Sequence, residues 1–226
     1  MATEFDTRTE WFRSPRVWPL MVEHLRTRGR PVAVWSGACS SGEEAYSMAV
    51  TLDREGIDGT VYASDIDRRL VRTAEKGEYP RPQSPLLSDR DLHSYFAQVG
   101  RRYVVRSTIR DRVEFGTAEL GVDTPPRCDI AMLRNVWRHL TEDAKEVAAR
   151  AVADAIGPDG RLVLGGSDFF IQDADGTWRS LGDPTFRNAT QADVNAASDT
   201  LPHALPALRA HFTPAEHPMI WRTRYP

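Results

Sequence analysis

Residues 32–52 read VAVWSGACSSGEEAYSMAVTL, and the order of residue types in this stretch is the strongest indication of the fold class. Its first five residues form a short apolar run rich in β-branched side chains, which is typical of a buried strand. A turn rich in glycine and serine follows, and from Glu43 onward the apolar residues recur at helical spacing. The stretch therefore predicts a strand, a loop and a helix, in that order.

The same pattern recurs on both sides of this stretch. Upstream, Ser14 and Pro15 are typical of a helix start and predict an entry helix that ends at Gly29. Strands that alternate with helices predict an α/β fold with a doubly wound, mostly parallel sheet. Downstream, we predict strands over residues 60–64, 129–135 and 161–166, and helices over residues 68–77 and 142–156, the second capped by Thr141.

Two stretches depart from this alternation. After a short helix opened by Ser88 and Asp91, the run up to residue 115 predicts two β segments around a polar middle, and we interpret residues 95–112 as a small β insertion. Residues 169–211, with a turn at 173–176, are interpreted as a variable insertion, and a final strand is predicted within residues 218–225. The aromatic side chains of the insertion at residues 169–211 either close over a small ligand or only anchor a loop to the core. They are Phe169, Phe170, Trp178 and Phe186.

Length and composition restrict the class of protein. We expect a single domain over residues 1–226, whose net charge of −3 provides no basic field for nucleic acid. Cys39 and Cys128 lack the spacing of a zinc or redox site, so we expect small core residues in a reducing cytoplasm and no bound metal. Without a secretory signal or a membrane-spanning apolar run, a soluble, cytoplasmic protein with no membrane partner is expected.

The first indication of chemistry comes from the loop over residues 37–42 and from Asp65. In an open parallel sheet, ligands collect at the carboxyl ends of the strands. Small residues let the backbone approach a ligand, and Asp65, 23 positions beyond Gly42, ends a strand where it can accept from ribose hydroxyls. Glu43 and Glu44 match the helix dipole, or one of them faces an ammonium group. The pattern is that of a nucleoside site, although a purely structural role remains open.

Four segments of the chain resemble, in order, the CheR-type family of protein-glutamate methyltransferases. They read VWSGACSSGEEAYSMAV, ASDIDRRLVRTAEKGEYP, RNVWRHL and GPDGRLVLGGSD, and TEWFR ahead of the entry helix adds a fifth similarity. The resemblance extends over about residues 7–168. It implies a class I, Rossmann-like methyltransferase fold with S-adenosylmethionine as the methyl donor.

The resemblance also assigns cofactor contacts by position. It implies that Thr9 and Arg13 hold the carboxylate end of the cofactor, with Thr7 where the family usually has asparagine. The other implied contacts are Gly37 and Ala38 beneath the methionine part, Glu43 or Glu44 at its ammonium, Asp65 at the ribose, Glu119 and Leu120 at the adenine, and Asn135 and Val136 at the methyl-transfer site.

Departures from the family pattern concern the methyl acceptor. His139 replaces a tyrosine that family members have beside the acceptor, and GGSD at residues 165–168 stands for the family's Gly-His-Ser-Glu. The basic helical N-terminal domain of the chemoreceptor-docking members is missing from the match, so docking to a chemoreceptor is not expected. The leading hypothesis is O-methylation of a carboxylate on a small-molecule or peptide-like substrate, with Arg134 or Arg13 neutralising its charge.

Two alternatives remain open. A hydroxyl or amine acceptor must lose a proton, and the imidazole of His139 titrates in the right range to take it. His139 is otherwise a structural residue just ahead of a helix cap. The third hypothesis is a regulatory module that binds S-adenosylmethionine without catalysis.

Overall fold

Strands alternate with helices along the chain, as the sequence pattern predicts, in a computed structural model that describes residues 9–165, 170–172, 178–180, 206–217 and 219–224. The structure divides into two units at the boundary between Glu119 and Leu120. The predicted turn at residues 173–176 lies outside the described residues, as do Phe169 and Phe186.

The described residues of the first unit form six strands and five helices, and three of the strands are paired in parallel. Its strands are β1 (Val32–Gly37), β2 (Gly59–Asp65), β3 (Glu78–Tyr79), β4 (Phe96–Val99), β5 (Arg102–Val105) and β6 (Val113–Thr117). Its helices are α1 (Val17–Arg26), α2 (Glu43–Arg54), α3 (Arg68–Lys76), α4 (Asp89–Tyr95) and α5 (Ser107–Arg110). β2 pairs in parallel with both β1 and β6, so the carboxyl ends of these three strands share one edge.

Local side chains determine where several helices begin. Asp67 caps α3 by accepting from the Arg69 backbone N–H at 2.8 Å. Ser88 and Asp91 form the predicted capping box of α4. The expectation for α1 was wrong in detail, because the helix begins at Val17 and its N-cap is Arg16, whose side chain makes no capping bond.

The two β segments predicted up to residue 115 belong to different sheets. β5 pairs antiparallel with β3 and with β4, which gives a small three-stranded sheet. β6 instead pairs with β2 and resumes the parallel alternation. Val105 and Ile109, which precede β6, are buried, but the sheet that each β segment joins is decided by its pairing partner, which the local β pattern does not contain.

The second unit begins with β7 (Ile130–Leu133) and continues with a 3-10 helix (Trp137–His139), α6 (Glu142–Ile156), β8 (Arg161–Leu164), β9 (Phe170–Gln172), β10 (Trp178–Ser180), α7 (Pro206–His211), β11 (Phe212–His217) and β12 (Ile220–Thr223). β7 and β8 pair in parallel, and β12 pairs antiparallel with β8 and with β11. Thr141 caps α6, as predicted, by accepting from the Ala144 N–H at 3.3 Å. The sequence analysis predicted one final strand and missed β11, whose sequence FTPAEH lacks strand alternation.

The first unit has the parallel strands β1, β2 and β6, and the second unit has the parallel strands β7 and β8 followed in pairing order by antiparallel β12 and β11. This arrangement confirms the predicted α/β class. Cys39 and Cys128 are both buried and form no disulfide, in agreement with their interpretation as core residues. Within the described part of the chain, no helix has the length and apolar character needed to cross a bilayer.

Candidate functional site

The loop between β1 and α2 has an unusual backbone. Ala38 and Ser40 have φ angles of 56° and 53°, and Gly42 has a φ of 93°. For residues other than glycine this left-handed conformation costs about 1–3 kcal/mol and persists only where surrounding contacts impose it. The side chain of Ala38 is exposed, whereas its neighbour Gly37 is buried. Ala38 is therefore the exposed point of this loop, directly after the carboxyl end of β1.

Hydrogen bonds from the end of β2 hold this loop. The Cys39 N–H donates to the Ser64 carbonyl at 2.9 Å, and the Ser40 N–H donates to Asp65 Oδ2 at 2.8 Å. Asp65 also accepts from the Asp67 N–H through Oδ1 at 2.9 Å, and only 8% of the residue is exposed. A carboxylate has about four lone-pair sites, so Asp65 keeps acceptor capacity for a ligand hydroxyl. The predicted ribose acceptor lies at the predicted strand end and also supports the loop.

The two glutamates that open α2 have different surroundings. Glu44 is 9% exposed, and its Oε1 accepts from the Ser36 hydroxyl near the end of β1 at 2.9 Å. Glu43 is half-buried and accepts from the Ser41 hydroxyl at 2.7 Å. Burial raises the pKa of Glu43, and the hydrogen bond from Ser41 partly offsets this effect. Glu44 is thus the glutamate tied to the carboxyl end of a strand.

The segment before α1 is attached to the same helix. The Phe12 N–H donates to Ser47 Oγ at 3.0 Å, and Ser47 in turn donates to the Glu43 carbonyl at 2.6 Å. Phe12 has a φ of 50°. Arg13 Nε lies 3.6 Å from Glu10 Oε2, and 26% of the Arg13 side chain is exposed. Arg13 therefore directly follows a residue that is hydrogen-bonded to α2.

The remaining predicted cofactor contacts of the first unit differ in their exposure. Thr9 is half-buried, Glu119 is exposed, and Thr7 lies outside the described residues. Sequence reasoning missed two serines that support the site, Ser36 and Ser47. The signal for Ser47 was present, since it lies four residues after Glu43 and therefore on the same helical face.

In the second unit, the predicted acceptor residues follow β7. Arg134 is only 8% exposed, Asn135 has a φ of 61°, and Val136 is half-buried. A side chain added at Gly165 would overlap the Asn135 amide and backbone, so this glycine allows the close approach after β8. Leu120, at the start of the unit, is half-buried.

His139 occupies the last position of the 3-10 helix, and its side chain is exposed. An exposed imidazole is accessible to a proton acceptor or donor in solution. Its proposed role as a base stays a prediction.

Comparison with known proteins identifies the family. A family model described as CheR methyltransferase, SAM binding domain, matches residues 7–182. The chemotaxis protein methyltransferase of Listeria monocytogenes is 32% identical over 177 residues, which are 76% of this chain and 66% of that protein. The Salmonella typhimurium chemotaxis protein methyltransferase is 33% identical over 173 residues, which are 72% of this chain and 60% of that protein. The chain thus spans less than two thirds of these relatives.

A similar solved structure is that of the glycopeptide N-methyltransferase MtfA complexed with S-adenosylmethionine, at 16% identity and a TM-score of 0.41. The similarity covers 64% of this chain and 52% of that chain, and supports no inference about function. The sequence match to the family is stronger evidence than this structural similarity. It extends over residues 7–182, which include the loop after β1, Asp65, Asn135 and Gly165. The chain belongs to the CheR methyltransferase family and matches its S-adenosylmethionine-binding domain.

Proposed function

We propose that the chain is an S-adenosylmethionine-dependent methyltransferase that esterifies a carboxylate on a small-molecule or peptide-like acceptor. The observation that carries the proposal is the strained loop after β1, held by the buried carboxylate of Asp65. Strain of this kind concentrates at ligand sites, and here it coincides with the family's cofactor loop.

The residues present fit this cofactor chemically. Asp65 has acceptor capacity for a ribose diol, and Glu44 is a buried carboxylate suited to an ammonium group. Ala38 is the exposed residue of the loop, so a ligand can approach the loop at this position. The guanidinium of Arg13 presents a planar fork of donors that suits a carboxylate. We assign the ammonium contact to Glu44 rather than Glu43, because Glu44 lies against the carboxyl end of β1.

The cofactor, when bound, supplies an electrophilic methyl group on a sulfonium sulfur. The protein then has to align the acceptor with that group and exclude water. For the second unit we propose that Asn135 and Val136 contact the cofactor and that Arg134 neutralises the acceptor carboxylate. A buried arginine favours a nearby anion, and Arg134 is buried. A carboxylate is already ionised near neutral pH, so this reaction needs no general base.

The experiment uses S-adenosylmethionine labelled in the methyl group. The purified chain is incubated with a glutamate-rich peptide and with a small-molecule extract, and each product is treated with base. We expect label that base releases as methanol, because methyl esters hydrolyse under these conditions.

Base-stable label would contradict esterification and favour N- or hydroxyl O-methylation with His139 as the base. Cofactor binding without any transfer would favour the non-catalytic module.

A further inference from the structure

Tyr79 connects the small antiparallel sheet to the loop after β1. Its hydroxyl donates to the Ser41 carbonyl at 2.6 Å, across 38 residues of sequence. Its backbone pairs with Tyr103 of β5, which fixes Tyr79 in the small sheet. The residue is 3% exposed. A loop residue and a sheet residue from distant parts of the chain are thus joined by a short, partly buried hydrogen bond.

The loop needs contacts of this kind. Ala38 and Ser40 have left-handed conformations that are unfavourable in isolation. The end of β2 holds the loop at the Cys39 and Ser40 N–H groups, upstream of Ser41. The Tyr79 hydroxyl holds the next carbonyl, at the point where the loop turns into α2.

Contacts with neighbouring aromatic rings hold the Tyr79 ring in place. Its centroid lies 5.1 Å from that of Trp11 and 6.1 Å from that of Tyr46, both in edge-to-face geometry. A Cβ atom on Gly42 would lie 3.1 Å from the Tyr79 hydroxyl, so the ring sits directly against the start of α2. Burial, followed by the nearby charge of Glu43, raises the pKa of Tyr79. The hydroxyl therefore remains a donor throughout the neutral range.

Trp11 extends this contact to the second segment of the site. It precedes Arg13 by two residues, and its ring packs on both Tyr79 and Phe96 of β4. The Tyr79 side chain thus touches the loop through its hydroxyl and the Arg13 segment through its ring.

We propose that Tyr79 is a positioning residue for the cofactor, which fixes the Ser41 carbonyl and thereby keeps the loop after β1 in its binding conformation before any ligand arrives. This inference rests on the proposed function, because the ligand of the loop is taken to be S-adenosylmethionine. A site that is already ordered binds more tightly, since less conformational entropy is lost on binding.

The test compares Tyr79→Phe with Tyr46→Phe. Both substitutions delete one buried hydroxyl from the same aromatic cluster, but Tyr46 donates to the Ala74 carbonyl of α3 at 2.9 Å and not to the loop. Calorimetry with S-adenosylhomocysteine should show affinity about five- to tenfold weaker for Tyr79→Phe, the value expected for one hydrogen bond. The affinity of Tyr46→Phe should stay within about twofold of the unsubstituted protein.

Hydrogen exchange of the ligand-free protein gives a second readout. The amides of residues 39–42 should exchange faster in Tyr79→Phe than in Tyr46→Phe, while the thermal midpoints of the two variants fall by similar amounts. Equal affinities and equal loop exchange in the two variants would overturn the role of Tyr79. If the unsubstituted protein does not bind the ligand, the proposed function fails, and loop exchange alone decides whether Tyr79 orders the loop.

Discussion

Backbone strain lies in the segments that the sequence predicts to form the site. Among the described residues, those other than glycine with positive φ are Phe12, Ser14, Ala38, Ser40 and Asn135. All five lie in the three segments that the sequence motifs single out: the stretch before α1, the loop after β1 and the end of β7. Strained conformations persist where surrounding contacts impose them, and they accumulate at ligand sites. The strain and the motifs are independent observations that agree.

For a single residue, the pH dependence of the free energy of unfolding tests whether burial raises the pKa of Glu43. Its pKa is raised above its ordinary value of 4.5 because burial disfavours the charged form. A carboxyl group with a raised folded-state pKa stabilises the fold at low pH, and this contribution is lost as the pH rises through the raised value. In Glu43→Gln, the free energy of unfolding relative to the unsubstituted protein should therefore increase from acidic to neutral pH.

Urea unfolding of both proteins at several pH values checks this expectation. The glutamine keeps an oxygen that accepts from Ser41, so the hydrogen bond is retained while the charge is removed. A difference between the two proteins that stays constant, or that falls with rising pH, would contradict the burial argument.

At the element scale, the start of α2 depends on Gly42. Its φ of 93° strains any other residue, and an added Cβ would lie 2.7 Å from the Ala74 Cβ and 3.1 Å from the Tyr79 hydroxyl. Gly42→Ala should lower the free energy of unfolding by at least about 2 kcal/mol, as strain and overlap add.

Gly56→Ala is the matched control for this substitution. Gly56 has a φ of 63°, but nothing lies within 4 Å of an added Cβ, so only the strain of about 1–2 kcal/mol applies. Denaturant unfolding of both variants gives the comparison. Equal losses would show that the packing of α3 and Tyr79 against the start of α2 does not restrict this position.

The sequence predicted those elements whose local signals agree with their tertiary setting. The run at residues 32–36, the cap at Thr141 and the box of Ser88 with Asp91 all form as expected. β11 was missed because PAEH within it has no strand pattern, and its pairing with β12 defines it. The sheet to which β6 belongs also depends on pairing across the chain, which a local pattern does not encode.

At the level of the whole molecule, the motifs predicted where Asp65 and the loop after β1 lie, but not the contacts that hold the loop. Asp65 and the loop were found because their spacing is itself a sequence signal. The contacts of Phe12 with Ser47 and of Tyr79 with Ser41 join residues 35 and 38 positions apart, and no motif records them.

We propose that Asp65 and the loop after β1 bind S-adenosylmethionine. Asp65→Asn keeps the shape of the side chain but removes its charge and replaces one of its two acceptor oxygens by an NH2 group. In the unsubstituted protein these oxygens accept from the Ser40 and Asp67 N–H groups, and we propose that they also accept from a ribose hydroxyl. Calorimetric titration with S-adenosylhomocysteine should show one site in the unsubstituted protein and affinity at least about tenfold weaker in Asp65→Asn. No binding to the unsubstituted protein, or equal affinity in the two proteins, would contradict the proposed role of Asp65 in binding the cofactor.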